Sequence, residues 1–306
     1  MVGLKKMLRK RGIYVSIAPT PHGSGGGANT FSWNFCRYLE KRDIKQERNI
    51  LLAKKALVIA NKVDYFSLWL AKKNGCFIVH RLDEHFQDNE SRERRRRHEQ
   101  VVKINRLADV TVFQSQFVQE NVLPHLKPSR YAVILNGADP EIFYDRGSNQ
   151  RCYVGHITNS VGWKKRLDIL EKAIKDFPSE RFLLIGNHGS AEIDFSRYAN
   201  VTMVGPVSKK ELALYHQQMK CLYFPSENDP CPNTVVEAIL SGVPVCYNQL
   251  GGTREIVGDC GLPLEKFGDF LARLPEFKSM CARREDLYFD KVMEKYLKFF
   301  EEEGGK

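Results

Sequence analysis

Short apolar runs alternate with segments of helical periodicity along the first half of the chain. The apolar runs predict strands at 13–18, 49–53, 56–60, 76–80, 110–113 and 132–135. The segments between them predict helices at 30–41, 66–74, 90–107 and 116–123. Strands that alternate with helices are typical of a parallel sheet covered by helices on both faces. The pattern therefore predicts an α/β domain.

The same alternation restarts in the second half, after the polar and turn-rich segment 145–150. Strands are predicted at 152–156, 181–186, 201–204, 221–224 and 243–247, and helices at 166–176 and 209–219, with a short helix before Gly242. Apolar residues at helical spacing after residue 286 predict a terminal helix that packs on the body of the protein. We therefore expect an N-terminal domain at 1–148, a C-terminal domain at 149–282 and a terminal helical segment at 283–306.

Composition supports two globular cores and excludes several classes of protein. The chain has 306 residues, of which 42% are hydrophobic, which suffices for two domains. No apolar run approaches the ~20 residues that span a bilayer, and the charged N-terminal start lacks the apolar region of a secretory signal. Eight cysteines without a Cys-x-x-Cys pair indicate neither a zinc site nor a disulfide framework. We expect a cytoplasmic protein.

The net charge of +10 indicates an anionic substrate, a nucleic acid or an acidic membrane as partner. Residues 4–11 alternate apolar and basic side chains, which suits either peripheral contact with an anionic membrane or an irregular N-terminus. In the cluster at 92–97, glutamates four positions before arginines favour a solvated helix face. No aromatic residues are interleaved with these clusters, so we expect no nucleic acid partner.

The most informative segment runs from Asp229 to Val245 and predicts a polar loop, a short helix and a buried strand. Unpaired N–H groups at a helix start attract phosphate, and Asp229 and Glu237 flank this start. The two carboxylates and the helix start suit a diphosphate with a sugar at each end. Two structural alternatives exist: Thr234-x-x-Glu237 also matches a capping box, and Asp229 before a proline also matches a turn initiator.

Polar residues follow three further predicted strands, and ligands bind at the carboxyl ends of strands in such sheets. The glycine-rich loop at 19–28 allows close approach to a phosphate or sugar, although it also suits a plain flexible loop. His80 and Asp83 close another strand and suit either binding of a hydroxyl or a salt-bridged corner. Three cations at a helix start, Lys164, Lys165 and Arg166, oppose the helix dipole and favour an anionic ligand such as a leaving diphosphate.

Several short motifs, in this order and spacing, resemble the retaining glycosyltransferases of family 4. They comprise Gly25-Gly-Gly27, the segments 113–117, 133–137, 139–143 and 165–168, Asp229-x7-Glu237 with 238–245, and Gly251-Gly-Thr-Arg-Glu-Ile-Val257. The resemblance covers most of the chain. It implies the GT-B fold, an α/β architecture in which two Rossmann-like doubly wound parallel-sheet domains face a cleft.

The resemblance implies that the second domain binds a nucleotide-sugar donor and the first a carbohydrate-type acceptor hydroxyl. It assigns Glu237 to the ribose, Asp229 to the transferred sugar and Lys165 to the diphosphate as the catalytic set. It implies further substrate contacts for Gly25, Gly26, Gly27, Val207, Pro232, Asn233 and Thr234. The positions after strands, taken alone, add His80, Asp83, Lys164 and Arg166 as candidate substrate contacts. Transfer would retain the anomeric configuration, the donor phosphate would help to deprotonate the acceptor, and no metal or other cofactor would be needed.

Three positions depart from the family pattern. Asp229 stands where the family usually has Glu, and His156 stands where many members have a phosphate-binding Arg. The first half is also compact. The alternatives are a nucleotide-sugar epimerase or hydrolase of the same fold, and a non-catalytic polyanion-binding protein.

Overall fold

The chain folds into two compact units in the computed structural model, which describes residues 12–19, 26–86, 91–159, 162–189 and 193–302. The first unit comprises Met1–Asn136 with Phe289–Lys306, and the second comprises Gly137–Tyr288.

The first unit contains a six-stranded sheet in which neighbouring strands run parallel. Its strands are β1 Ile13–Val15, β2 Gln46–Glu47, β3 Lys55–Ile59, β4 Phe77–Leu82, β5 Val110–Phe113 and β6 Tyr131–Val133. Their order across the sheet is β2-β1-β3-β4-β5-β6. The order reverses between β1 and β3, where ligands bind in open α/β sheets.

Helices cover this sheet. Polar residues cap the first turns of three of them, and their apolar faces pack in the core of the unit. They are α1 Gly27–Lys41, α2 Tyr65–Lys73, α3 Arg92–Asn105 and α4 Gln116–Val122. Asp64, Ser91 and Ser115 cap α2, α3 and α4 by accepting a hydrogen bond from a first-turn N–H group.

The second unit contains another parallel sheet of six strands. They are β7 Tyr153–Thr158, β8 Arg181–Gly186, β9 Val201–Val204, β10 Met219–Phe224, β11 Val245–Tyr247 and β12 Gly261–Pro263. The order is β12-β11-β10-β7-β8-β9, which reverses between β7 and β10. The loops after β7 and β10 therefore leave the sheet side by side.

The helices of the second unit are α5 Leu167–Asp176, α6 Lys209–His216, α7 Asn233–Leu240, α8 Thr253–Val257, α9 Phe267–Ala272 and α10 Leu274–Cys281. The last helix of the chain, α11 Phe289–Glu302, returns to the first unit. There the ring of Tyr296 packs 5.2 Å from Phe31 and 6.2 Å from Phe35. No helix of the described ranges is long and apolar enough to cross a membrane.

The units divide between Asn136 and Gly137, earlier than the predicted boundary at 148. The intervening segment is bonded to the second unit: Ala138 N–H donates to the Leu287 carbonyl at 3.1 Å, and Gln217 donates to the Tyr144 carbonyl at 3.0 Å. The polar, turn-rich composition of 145–150 placed the predicted boundary there. The hydrogen bonds that tie the preceding residues to the second unit involve partners distant in sequence, which composition does not reveal.

One predicted strand was wrong. Residues 49–53 contain a 3-10 turn, Ile50–Leu52, because the side chain of Asn49 accepts a hydrogen bond from Leu51 N–H at 3.0 Å and closes a turn.

Candidate functional site

Two loops at the carboxyl edge of the second sheet are joined by backbone hydrogen bonds. Asn228 N–H, in the loop after β10, donates to the Leu250 carbonyl at 2.8 Å, and Gly252 N–H donates to the Asp229 carbonyl at 2.9 Å. Gly251 has a φ of +120°, and a Cβ there would lie 2.9 Å from the Asp229 backbone nitrogen and oxygen. The glycine therefore permits the close approach that fixes the Asp229 backbone.

The carboxylate of Asp229 is partly buried beside a cation. The Nζ atom of Lys165 lies 3.6 Å from Asp229 Oδ2, and about a quarter of each side chain is exposed. Burial raises the pKa of Asp229 above its usual range, while Lys165 and a hydrogen bond from Cys231 N–H act in the opposite direction. This carboxylate sits where strand order reverses, with solvent on one side.

Lys165 belongs to a 3-10 turn, Trp163–Lys165, that follows β7. The turn is tied to the β10 loop, because Glu227 N–H donates to the Lys164 carbonyl at 2.9 Å. Lys164 and Lys165 are both half-buried. Loops from two adjacent strands thus place Lys165 next to Asp229.

Arg166 is held by ion pairs with Asp168 and Glu227, and its phosphate contact remains a prediction. Its guanidinium donates to Asp168 at 2.8 and 3.0 Å and to Glu227 Oε2 at 3.0 Å. These hydrogen bonds raise the pKa of Arg166 further above its usual range. With a left-handed backbone (φ 48°) it starts α5 and joins the β7 and β10 loops. In this structure Arg166 stabilises the contact between these two loops.

Helix α7 begins with Pro232 at the cap position, and no side chain caps it. Asn233 and Thr234 form the half-buried first turn. The capping-box interpretation of Thr234 and Glu237 was wrong, because the cap residue is Pro232, two residues before Thr234, and the Glu237 carboxylate pairs with a lysine. A helix start without a side-chain cap suits a phosphate ligand.

Glu237 is the most deeply buried acidic residue of this site, with 2% of its surface exposed. Its Oε1 atom accepts a hydrogen bond from Lys209, whereas its Oε2 atom is buried and has no hydrogen-bond partner among the residues that the structure describes. An unsatisfied carboxylate oxygen in the interior is costly, and a ligand hydroxyl would satisfy it.

Lys209 is a site residue that the sequence interpretation missed. It is the first residue of α6, whose start is fixed by a capping box between Ser208 and Glu211. The Ser-x-x-Glu spacing was readable in the sequence, but the contact with Glu237 depends on packing of two helices. Its ammonium also lies 5.8 Å from the ring centre of Phe143. Val207, predicted to line a base pocket, is half-buried two residues earlier.

His156 lies in the core, hydrogen-bonded to a second histidine. Its Nδ1 atom lies 2.7 Å from Nε2 of His188, and both residues are buried. Burial, then the neighbouring His188 and Lys165, hold the pKa of His156 well below its usual range. Burial likewise lowers the pKa of His188 to about 4. The pair is therefore neutral at pH 7 and supplies no positive charge where many family members carry an arginine.

In the first unit the glycine-rich loop leads directly into α1. Gly26 caps this helix with a φ of 97°, and Gly27 is its first residue. Both are exposed. Gly25 and the basic segment 1–11 lie outside the described residues.

His80 occupies the interior of the first unit. Its Nε2 atom lies 2.8 Å from the Ala60 carbonyl and its Nδ1 atom 3.0 Å from Asn105 Nδ2, with no exposed surface. Burial lowers its pKa to about 4. The predicted substrate contact is therefore corrected: both ring nitrogens bond to the protein and the residue supports the core.

Asp83 closes β4 beside a fully buried arginine. Its Oδ2 atom lies 3.5 Å from Arg81 Nη1, while Arg81 Nη2 donates to Asn136 at 2.8 Å. The Arg81 guanidinium stacks 3.8 Å from the ring centre of Phe31. About a quarter of the Asp83 side chain remains exposed. The salt-bridged corner is present, and it leaves one face of Asp83 open to solvent.

No group of three or more His, Cys, Asp or Glu side chains in the described ranges is arranged to hold a metal ion. The expectation that the reaction needs no metal remains a prediction.

Comparisons with known proteins find a family match within the second unit and the fold of the whole chain. Residues 149–274 match the family model described as glycosyl transferases group 1. No curated protein matches the chain.

Solved structures match both units at low sequence identity. A sucrose-phosphate synthase from Thermosynechococcus elongatus is 12% identical, with 95% of this chain and 98% of that chain covered and a TM-score of 0.73. HepE from Anabaena, in complex with UDP and glucose, is 15% identical over 94% of this chain and 98% of that chain, with a TM-score of 0.67. The chain has the GT-B fold of these proteins, and its residues 149–274 match the model of the group 1 glycosyl transferases.

Proposed function

We propose that the chain is a retaining, metal-independent glycosyltransferase of family 4 that moves a sugar from a nucleoside diphosphate sugar to a hydroxyl of a carbohydrate-type acceptor. One observation carries the proposal. Asp229, beside Lys165, and Glu237, with an unpartnered buried oxygen, flank the start of α7 at the edge where strand order reverses.

Each part of this arrangement suits one part of the donor. Glu237 Oε2 would accept a hydrogen bond from a ribose hydroxyl, which satisfies its buried oxygen. The first turn of α7 and the Lys165 ammonium would bind the diphosphate. Asp229 would accept a hydrogen bond from a hydroxyl of the transferred sugar. The first unit would bind the acceptor substrate.

The proposed reaction exchanges one bond at the anomeric carbon. The bond from the anomeric carbon to the diphosphate oxygen breaks, and the acceptor oxygen bonds to that carbon from the same face. The proton of the acceptor hydroxyl moves to the departing phosphate. Lys165 and the start of α7 would stabilise the negative charge that develops on the leaving diphosphate.

The first donors to test are UDP-sugars, because HepE structures contain UDP and UDP-glucose. A melting-temperature series with UDP, GDP, ADP, CMP and dTDP at equal concentration should show stabilisation by one nucleoside diphosphate above the others. At a hundred times the dissociation constant, the stabilisation is about 2.7 kcal/mol.

Glu237→Gln should remove this selective shift and lower kcat/KM, since an amide is a poorer acceptor for a ribose hydroxyl. The matched control is Glu276→Gln, an exposed residue of the same unit that pairs with Arg273. The proposal fails if Glu237→Gln retains both nucleotide binding and turnover with the preferred donor.

Product analysis separates the alternatives. Transfer to an acceptor with retained anomeric configuration, seen by NMR and undiminished by EDTA, supports the proposal. Free sugar or an epimerised donor as the only product would support the hydrolase or epimerase instead. Binding of any polyanion with a steep loss in salt and no nucleotide selectivity would support the non-catalytic alternative.

A further inference from the structure

Five large apolar side chains are exposed on two adjacent elements of the first unit. Leu51 and Leu52, in the 3-10 turn Ile50–Leu52, are 42% and 70% exposed. On α2, Tyr65, Phe66 and Trp69 are 45%, 64% and 36% exposed. The turn packs against α2, so these exposed residues lie on neighbouring elements, and we call the set the aromatic face.

The aromatic face is the outer side of elements that are well anchored inside. Ile50 from the turn and Leu68 and Ala71 from α2 are buried in the same core cluster. On the outer side, the rings of Phe66 and Trp69 stack with centres 6.0 Å apart. The structure therefore holds these side chains outward on a rigid base. Contiguous exposed apolar patches of this kind mark interaction sites.

Positive charge lies near the aromatic face. Residues 48–75 contain six Lys or Arg residues and one acidic residue, Asp64; of the six cations, Lys55 is buried and Lys72 pairs with Asp109. Lys62 and Lys73 are exposed, and the Lys73 ammonium lies 5.7 Å from the ring centre of Trp69.

The arginine-rich helix α3 adds to this charge. It packs beside α2, and Asn61 donates to Gln100 of α3 at 3.0 Å, which places the loop before α2 against that helix. The first turns of α3 carry exposed arginines at 92, 94, 95, 96 and 97. Among the described residues, Glu93 lies 3.8 Å from Arg97 and partly offsets this charge.

We propose that the aromatic face, together with the arginines of α3, rests on a membrane surface that contains anionic lipid. Tyr and Trp side chains favour the headgroup level of a bilayer, where their apolar rings and polar tips are both accommodated. Leucines and Phe66 insert below that level, and Lys and Arg are attracted to anionic headgroups.

Charge and composition favour a membrane over the other occupants of such a surface. A second copy of this chain would bring the same positive charge to the contact. A carbohydrate platform would use the rings but has no role for Leu51 and Leu52. The inference goes beyond the proposed glycosyl transfer and uses no residue of the donor site or of segment 1–11.

Vesicle co-sedimentation of the full chain tests the inference. Wild type should sediment with vesicles of phosphatidylcholine and phosphatidylglycerol at 70:30, and at least tenfold less with phosphatidylcholine alone. The variant Leu52→Gln/Phe66→Gln should lower the bound fraction on anionic vesicles at least fivefold. The matched control, Met203→Gln/Leu214→Gln, replaces two residues of the second unit that are 45% and 52% exposed and should bind as wild type does.

Further measurements keep the test specific. Melting temperature and solution turnover of the variant should equal those of wild type. Sedimentation does not depend on glycosyl transfer, so a failure of the proposed function would not change the outcome of this test. Lys62→Gln/Lys73→Gln should weaken binding to anionic vesicles only. A version that lacks residues 1–11 should remain sensitive to Leu52→Gln/Phe66→Gln.

Three results would overturn the inference. The first is equal sedimentation of wild type and Leu52→Gln/Phe66→Gln. The second is a wild-type dimer in solution that these substitutions dissociate, which would make the face a contact between copies. The third is slower migration of the wild-type protein in a native gel that contains a soluble neutral polysaccharide, if the same substitutions abolish it. That result would make the aromatic face a carbohydrate platform.

Discussion

The pair formed by Glu237 and Lys209 shows how one residue can be prepared for a ligand by another. The Glu237 carboxylate is buried, and its charge is balanced by an ammonium that is about one-third exposed. Breaking a buried ion pair from one side leaves an uncompensated charge, which is costly. Lys209 therefore holds Oε1 of Glu237 and leaves Oε2 available.

Lys209→Met should weaken nucleotide binding and lower the free energy of unfolding by about 1–3 kcal/mol, less than for a fully buried pair because Lys209 is partly exposed. Lys210→Met replaces the next residue of α6, which is exposed, and serves as the control. Calorimetric binding of the preferred nucleotide and chemical denaturation measure the two effects. If both variants behave as wild type, Lys209 does not position Glu237.

The double variant Lys209→Met/Glu237→Gln separates stability from function. Because it removes both charges, it should recover most of the stability that Lys209→Met loses, while nucleotide binding stays weak. A double-mutant cycle measures the coupling. Additive losses of stability would show that the two charges act independently.

Asp229 is expected to show the opposite balance between stability and activity. Burial raises the pKa of its carboxyl group, so the ionised form is disfavoured in the folded protein. Asp229→Asn should lower kcat about 10²-fold or more without lowering the melting temperature at pH 7. Asp269→Asn, at an exposed position of α9, is the control. A marked drop in melting temperature would indicate that the contact with Lys165 chiefly supports the fold.

At the scale of elements, the site depends on how closely the β10 and β11 loops approach each other. A side chain at position 251 would meet the backbone of Asp229, and the φ of +120° is strained for any residue other than glycine. The loops therefore have little freedom to accommodate a change.

Gly251→Ala should displace Asp229, lower the free energy of unfolding by about 1–3 kcal/mol and reduce kcat more than it raises KM. The control is Gly268→Ala in α9, where an added Cβ meets no atom within 4 Å and where alanine favours the helix. Thermal unfolding and steady-state kinetics of both variants test this expectation. Unchanged kinetics in Gly251→Ala would show that the close approach is not needed for turnover.

The parallel strands were the elements most readily predicted from the sequence. The predicted bounds of β5, β8 and β9 agree with the structure at both ends, because these runs are apolar and sharply bounded. The short edge strands β2 and β12 were missed, because two or three residues without a clear apolar run give no periodic signal.

The candidate site was predictable where it depends on position after a strand and not where it depends on packing between elements. Lys165 and Asp229 were predicted and lie together, because the loops after β7 and β10 are neighbours. The contact of Lys209 with Glu237, the bracing of Arg166 and the burial of His80 depend on side chains distant in sequence. A single chain without this geometry provides no signal for them.

For the whole molecule, buried neutral histidines make stability depend on pH. In the second unit, burial lowers the pKa of His188 to about 4 and of His216 to about 3, and holds that of His156 well below its usual range. In the first unit, burial lowers the pKa of His80 to about 4. In moderately acidic solution these histidines therefore bind protons in the unfolded state and stay neutral in the folded units.

The direction of the effect follows from proton linkage. Unfolded histidine titrates near pH 6.5, so below that pH the unfolded state binds more protons and the free energy of unfolding falls. Each group contributes a slope of about 1.4 kcal/mol per pH unit, from about pH 6.5 down to its folded pKa. Asp229 opposes this in the second unit by at most one proton, because its pKa is raised.

The second unit should therefore lose stability faster than the first between pH 6.5 and 4.5. Hydrogen exchange measured by mass spectrometry at several pH values should show protection falling earlier in 137–288 than in 26–136, after correction for the intrinsic exchange rate. His216→Asn should reduce the slope for the second unit by about one proton, whatever constant stability it loses from packing. His125→Gln, at an exposed position of the first unit, is the control and should leave the slope for the second unit unchanged. Equal slopes in both units, or an unchanged slope in His216→Asn, would contradict the assignment of this pH dependence to the buried histidines.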